Sequence, residues 1–235
     1  FRSGRERSGG SGSRAPRLRG CSVGGSAPAA GQGSGGTSVV VRTAEGRTIL
    51  VTKGAPEALF ARCIDIPAQA NATLQSLFGE GSRVVAVATR DADGLTQPTA
   101  ADERDLSLAG FLTFVDRPKA DAGESIAKLN RNGIAVKNIT GDNGTVASKV
   151  CQDIGLDVEA VLTGVEVDAL DDDALAAAIP HTTVFARVSP EQKSRIVKIA
   201  RRTGVDVAYM GDGVNDAVAL HAADVGISVE SATDI

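Results

Sequence analysis

Asp212, Asn215 and Asp216 are the residues of this chain whose types and spacing point most directly to chemistry. They close the stretch Val205-Asp206-Val207-Ala208-Tyr209-Met210-Gly211-Asp212-Gly213-Val214-Asn215-Asp216, an apolar run broken by Gly-Asp-Gly. Such a run reads as a buried strand, a tight turn and a helix start. That order puts Asp212 at the strand's carboxyl end, where ligands of open α/β sheets sit. Three oxygen-bearing side chains then converge on one small volume, a donor set suited to a hard cation such as Mg²⁺. The same spacing also lets Asp216 serve simply as a helix cap.

Other positions offer groups to an anion. Ser189-Pro190-Glu191-Gln192 has the capping-box pattern with proline at the first helical position, so Lys193 lies in the first turn of a helix. A cation is unfavourable there unless an anion is close, which moves Lys193 towards a phosphate ligand. Thr140 and Gly141, before Asp142, occupy a strand-to-helix corner. A hydroxyl and bare amides at such a corner suit an anionic oxygen, although Gly-Asp is also an ordinary turn. Lys53, beside Gly54 at a strand end, is free to reach a polyphosphate or purine, and its plainer reading is a solvated lysine. His181 and His221 have no partners at ligand spacing, and Cys151 falls on the apolar side of a helix, where packing explains it.

The elements that must position these groups follow from periodicity. Ser38–Thr43 and Arg47–Thr52 form a hairpin around a glycine turn, Pro56 opens a helix through Cys63, and Ala70–Phe78 is a weaker helix before the strand Arg83–Thr89. Leu106–Val115 is apolar and ends in the charged, proline-stiffened hinge Asp116-Arg117-Pro118-Lys119. Thereafter β and α signals alternate, as a parallel sheet requires. A helix from Ala120 is capped by Gly133, Ile134–Ile139 is a strand, and a helix runs on to Gly155. Val158–Gly164 is a short strand region, Asp168–Ala178 a solvated helix stopped by Pro180, and Thr182–Val188 a strand. The last strand is Asp224–Val229.

Composition sets the bounds. The 235 residues carry 42% hydrophobic side chains, 3% aromatics and no Trp, so recognition of nucleic acid by base stacking has little support. Six arginines against one glutamate give Phe1–Gly36 a balance of +5, leaving −9 for the rest of a chain whose total is −4. A body so negative does not suggest a DNA or anionic-lipid partner. Residues 1–36, almost wholly Gly, Ser, Arg, Ala and Pro, are expected to be disordered. Cys21, Cys63 and Cys151 have no metal-like spacing and fit a reducing compartment. No apolar run reaches the roughly 18–20 residues that span a bilayer. The absence of an initiating Met hints at a fragment.

Taken together and in order, Lys53-Gly54-Ala55-Pro56-Glu57, Asp116-Arg117-Pro118-Lys119, Thr140-Gly141-Asp142, Pro190-x-x-Lys193 and Gly211-Asp212-Gly213-Val214-Asn215-Asp216 resemble the cytoplasmic half of a P-type cation-transporting ATPase. The resemblance runs from about Ser38 to Ile235, and from Thr140 onward is greatest to magnesium-translocating members. It implies an α/β, Rossmann-like phosphorylation domain of the haloacid-dehalogenase type over 109–235, with a partial α+β nucleotide-binding domain over 37–108. It also implies that ATP and Mg²⁺ are the cofactors. Lys53, Gly54, Arg83, Asp116 and Arg187 would serve the nucleotide. Thr140, Gly141, Asp142 and Lys193 would hold and neutralise the transferred phosphoryl, and Asp212 would coordinate Mg²⁺ with support from Asn215 and Asp216. These roles match what phosphoryl transfer demands, namely positioning and charge neutralisation.

The departures are as informative. The Asp-Lys-Thr-Gly-Thr segment that carries the family's phosphorylated aspartate does not occur. Arg117 and Val218 stand where the pattern has proline. The expectation is therefore a piece of an ATP-driven cation transporter, a cytoplasmic portion of an integral plasma-membrane protein. The actuator domain, membrane helices and transported cation would be partners found only in the intact molecule, and the piece alone would be inactive. Its missing segment is the central strand between those ending at Thr140 and Met210, so a split sheet and low stability follow. Two alternatives stand beside this reading. Asp91-Ala92-Asp93-Gly94-Leu95-Thr96 resembles the nucleophile loop of haloacid-dehalogenase-type phosphatases, with Arg90 intruding before it and the threonine one position late. A non-catalytic module binding nucleotide or Mg²⁺ is the other.

Overall fold

The computed structural model describes residues 22–23, 36–115, 118–211 and 214–228. Two compact units divide them. One comprises residues up to Ala70 together with Val84–Leu112, and the other comprises Asn71–Arg83 and Thr113 onward.

The first unit is built on a six-stranded sheet. Its strands are β1 (Ser22–Val23), β2 (Gly36–Arg42), β3 (Thr48–Gly54), β4 (Cys63–Asp65), β5 (Arg83–Asp91) and β6 (Leu106–Phe114), in the order β1-β2-β3-β5-β6-β4. β2 and β3 form the antiparallel hairpin that the β-rich runs predict, in register from Gly36↔Gly54 to Arg42↔Thr48 around Gly46, whose φ of 82° suits glycine. Of residues 1–36, expected to be disordered, Ser22–Val23 pair with Val41 and Arg42 and Gly36 opens β2, and the remainder lies outside the described residues. The apolar residues Leu50, Leu59, Ala86, Ala88, Ala92 and Leu106 make the core. Helix α1 (Pro56–Phe60) ends short of the expected Cys63. Cys63 joins β4 instead, paired in parallel with Leu106, because one further turn on a five-residue helix gains less than a strand ladder does.

The second unit alternates helices and short parallel strands. Its helices are α2 (Ala70–Gly79), α3 (Ala122–Arg131), α4 (Gly144–Asp153), α5 (Gly164–Ala169), α6 (Asp172–Ala178), α7 (Pro190–Arg202) and α8 (Ala217–Ala222). Its strands are β7 (Asn138–Ile139), β8 (Val161–Thr163), β9 (Val184–Ala186), β10 (Ala208–Gly211) and β11 (Val225–Ser228). They form two separate parallel sheets, β7-β9-β8 and β10-β11. Among the described residues no strand pairs with the second edge of β7 or of β10. That is the split expected when the strand between them is missing, and Ile139 of β7 still packs with Val207 and Tyr209 in the apolar cluster beneath.

Three local expectations are revised. Ile134–Lys137 are not strand, because β7 has a ladder on one side only and the Lys137 ammonium donates to the carbonyls of Pro180 and Thr182 instead. The acidic helix is two helices. Leu170 is extended, with ψ of 136°, and the carboxylate of Asp171 accepts from the Ala174 amide to start α6. Asp172 is more than a wetted face, since Arg195 and Arg202 meet it at 3.0 and 2.7 Å and hold its pKa below the usual carboxylate range.

Candidate functional site

The site grows from the start of α7. Ser189 accepts from the Gln192 amide, Gln192 returns a bond to the Ser189 amide, and Pro190 opens the helix, as the capping-box pattern predicts. This geometry commits Lys193 to the first turn, where the helix dipole opposes it. The opposing anion is Asp216, whose Oδ1 accepts from the Lys193 ammonium at 2.7 Å. Both side chains are 13% exposed, so the pair is shielded well enough for its charges to matter.

Asp216 ends a short 3₁₀ turn, Val214–Asp216, and precedes α8. It occupies the cap position of α8 without making a side-chain capping bond. Its Oδ1 is shared instead by Lys193 and by the Tyr209 hydroxyl, which donates at 3.0 Å. Burial and the adjacent Asp216 carboxylate push the pKa of Tyr209 upward, which keeps that hydroxyl a donor. Among the described residues Oδ2 meets no donor. It lies against Gly211, where an added Cβ would come within 2.6 Å of the Asp216 Cβ and 2.8 Å of Oδ2. Gly211 is therefore the cradle that lets the carboxylate sit where it does. Asn215 is exposed beside it.

A second set of predicted residues meets at the β7–α4 corner. The Thr140 hydroxyl accepts from the Asp142 amide at 3.0 Å, the Thr140 amide donates to the Phe185 carbonyl, and the Thr140 carbonyl accepts from Val188. The Arg187 amide donates to the Asp142 carbonyl at 3.0 Å, with Arg187 held at φ of 54°, uncommon for a residue with a side chain. The corner is thus bonded to the end of β9 by three backbone contacts. Arg83, which opens β5 but belongs to the second unit, pairs with Asp142 Oδ1 at 3.2 Å beside a cavity of about 280 Å³ that Thr140, Asn138 and Ala147 also line. Gly141 is exposed, and a Cβ there would come no closer than 4.0 Å to the rest of the protein. Within the chain, therefore, glycine is not demanded at that position, and its bare amide is open to approach.

The remaining predicted residues divide simply. Lys53 and Gly54 end β3 in the first unit, with Lys53 exposed, whereas the residues above belong to the second. Asp116 and Asp212 lie outside the described residues. Asp91 ends β5 on the surface and pairs with Arg47, both side chains about two-thirds exposed. His181 and His221 are exposed, and Cys151 is buried with its thiol pKa pushed up by that burial. Sequence reasoning missed Tyr209. Its one signal is a polar tip in an otherwise apolar strand, seven residues before the carboxylate it meets.

The donor set can be tested for a divalent cation. No group of three or more His, Cys, Asp or Glu that could hold a metal occurs among the described residues. Asp216 does supply a shielded carboxylate with one oxygen engaged by two donors and the other turned to the Gly211 cradle. That arrangement fits a supporting carboxylate better than a complete coordination shell.

Comparison with known proteins sets these features in a family. A model of haloacid dehalogenase-like hydrolases matches residues 40–224. The magnesium-transporting ATPase, P-type 1, of Salmonella typhimurium is 44% identical over 192 residues, covering 80% of this chain and 20% of that protein. The protein of the same name from Escherichia coli K12 is 48% identical over 159 residues, covering 66% and 18%. The calcium-transporting ATPase 1 of Lactococcus lactis is 37% identical over 207 residues, covering 81% and 24%. The chain spans about a fifth of the length of these curated relatives. It belongs to the haloacid dehalogenase-like hydrolases, with an α/β fold of that type, and within that family it is similar to the P-type cation-transporting ATPases.

Proposed function

We propose that the chain is a cytoplasmic portion of an ATP-driven cation transporter, Mg²⁺ being the favoured cargo, and that it binds ATP and Mg²⁺ for aspartyl-phosphate chemistry. The observation that carries this reading is the Lys193–Asp216 pair beside Gly211, an ammonium and a carboxylate held at the starts of two helices within motifs that resemble those of P-type pumps. Thr140, Gly141 and Asp142 would cradle the transferred phosphoryl, with Lys193 neutralising its charge. Lys53, Gly54, Arg83, Asp116 and Arg187 would serve the nucleotide, and Asp212, with Asn215 and Asp216, the magnesium. Bound Mg²⁺ would supply charge neutralisation at the phosphoryl oxygens. The chain's own work is to orient: the backbone bonds of the Thr140 corner fix where an anionic oxygen can sit, and the α7 capping box fixes where the ammonium starts.

The actuator domain, the membrane helices and the transported cation would belong to the intact molecule, and the membrane location with them. No helix among the described residues is long and apolar enough to cross a membrane. The sequence lacks the Asp-Lys-Thr-Gly-Thr segment, so the chain alone should bind nucleotide without forming a covalent phosphate. Incubation with γ-labelled ATP and Mg²⁺ tests both halves. Retention of labelled nucleotide on equilibrium dialysis, with no acid-stable, hydroxylamine-labile label on the protein, is expected. A covalent label would refute the missing nucleophile, and no retention would refute the nucleotide site.

A further inference from the structure

Lys193 has two anions to serve under the reading above, the Asp216 carboxylate it meets and the phosphate it is proposed to neutralise. The two anions compete for one ammonium, whose three N–H donors sit on a flexible stem. When it turns to phosphate, Asp216 Oδ1 keeps a single donor, the Tyr209 hydroxyl at 3.0 Å. That donor is well anchored: Tyr209 is 7% exposed, lies on β10, and its ring packs with Val197, Ala219 and Ala222. A carboxylate left without such a partner rotates about its terminal torsion, whose preferences are broad.

We infer that Tyr209 is a positioning residue for the divalent-cation site, holding Asp216 by Oδ1 so that Oδ2 stays turned to the Gly211 cradle whether or not Lys193 is engaged. The inference rests on the proposed part of Asp216 in that site. Outer partners of this kind fix the orientation and basicity of the groups that meet a metal. Phenylalanine at 209 would keep the packing and remove only the hydroxyl.

The molecule carries its own probe, since Tyr209 is the single tyrosine and there is no tryptophan. A phenol hydrogen-bonded to a carboxylate is quenched, and a cation that draws electron density from the carboxylate relieves the quenching. In the full chain, Mg²⁺ should raise the tyrosine emission. Mn²⁺ affinity measured by electron paramagnetic resonance should fall about tenfold in Tyr209→Phe. Equal Mn²⁺ affinity in the two proteins would overturn the positioning role and leave the cation site standing. A wild-type chain that binds no Mn²⁺ would overturn the site and the inference together. If Tyr209→Phe loses its folded circular-dichroism spectrum, the wild-type emission decides, and a flat response to Mg²⁺ in a chain that binds Mn²⁺ overturns the inference.

Discussion

Glu103 in the first unit and Asp216 in the second are both carboxylates largely withdrawn from water, and they are held in different ways. Glu103 is 3% exposed, and each of its oxygens has a partner: Oε1 accepts from the Ser38 hydroxyl at 2.7 Å, and Oε2 accepts from the Arg62 guanidinium. The Ser38 hydroxyl is in turn bonded to that of Thr52 at 2.9 Å, and both residues are buried. Asp216 has a cation and a hydroxyl as well, yet both fall on Oδ1, and among the described residues Oδ2 meets no donor. A buried carboxylate with both oxygens matched is part of the framework, because any change leaves a charge unpaired. A carboxylate matched on one oxygen keeps an acceptor in reserve, and the surrounding structure must hold its geometry. Gly211 and Tyr209 do so at Asp216.

This contrast can be broken in order of expected effect. Glu103→Ala removes the buried acceptor of the Ser38 hydroxyl and the carboxylate partner of the Arg62 guanidinium, and urea unfolding should show a loss of about 3 kcal/mol. A loss under about 1 kcal/mol would mean that the network is not a stability element. Gly211→Ala places a Cβ 2.6 Å from that of Asp216, so the carboxylate must move. A cost of about 1–3 kcal/mol is expected, with Mn²⁺ binding weakened more than the stability loss alone explains. Unchanged Mn²⁺ affinity would show that the cradle is dispensable. Asp91→Asn removes an exposed pair with Arg47 and should change stability by less than about 0.5 kcal/mol. It also probes the phosphatase alternative: turnover of a small phosphate ester that disappears in this variant would favour Asp91 as a nucleophile.

Much of this was legible along the chain because the rules involved are local. The Ser38–Thr52 hairpin, the Ser189–Gln192 capping box and the Gly133 helix stop at φ of 77° each depend on residues within one turn or one hairpin. The split between β7 and β10 was legible for a different reason, as a gap in an otherwise ordered set of motifs. What escaped notice was set by distance in sequence. Glu103 meets Ser38 across 65 positions and Arg62 across 41, and no periodicity links them. A local pattern carries the helix on to Cys63 because the pairing of Cys63 with Leu106 is invisible to it. At the site, the lysine in the first turn of α7 points by its misfit to a phosphate, whereas the anion it meets within the chain is Asp216, 23 residues away and beyond any local pattern. The Tyr209 contact left no spacing rule, only a hydroxyl in an apolar strand.

The central claim is that the one-sided carboxylate of Asp216 serves a divalent cation. Its most direct test is a Mn²⁺ titration of the full chain, followed by electron paramagnetic resonance, in the wild type and in Asp216→Asn. The amide keeps the size of the side chain and removes its charge, so binding in the variant should fall by at least about tenfold while the fold is retained. Equal affinity in the two proteins would contradict the account and leave Asp216 as no more than the counter-ion of Lys193.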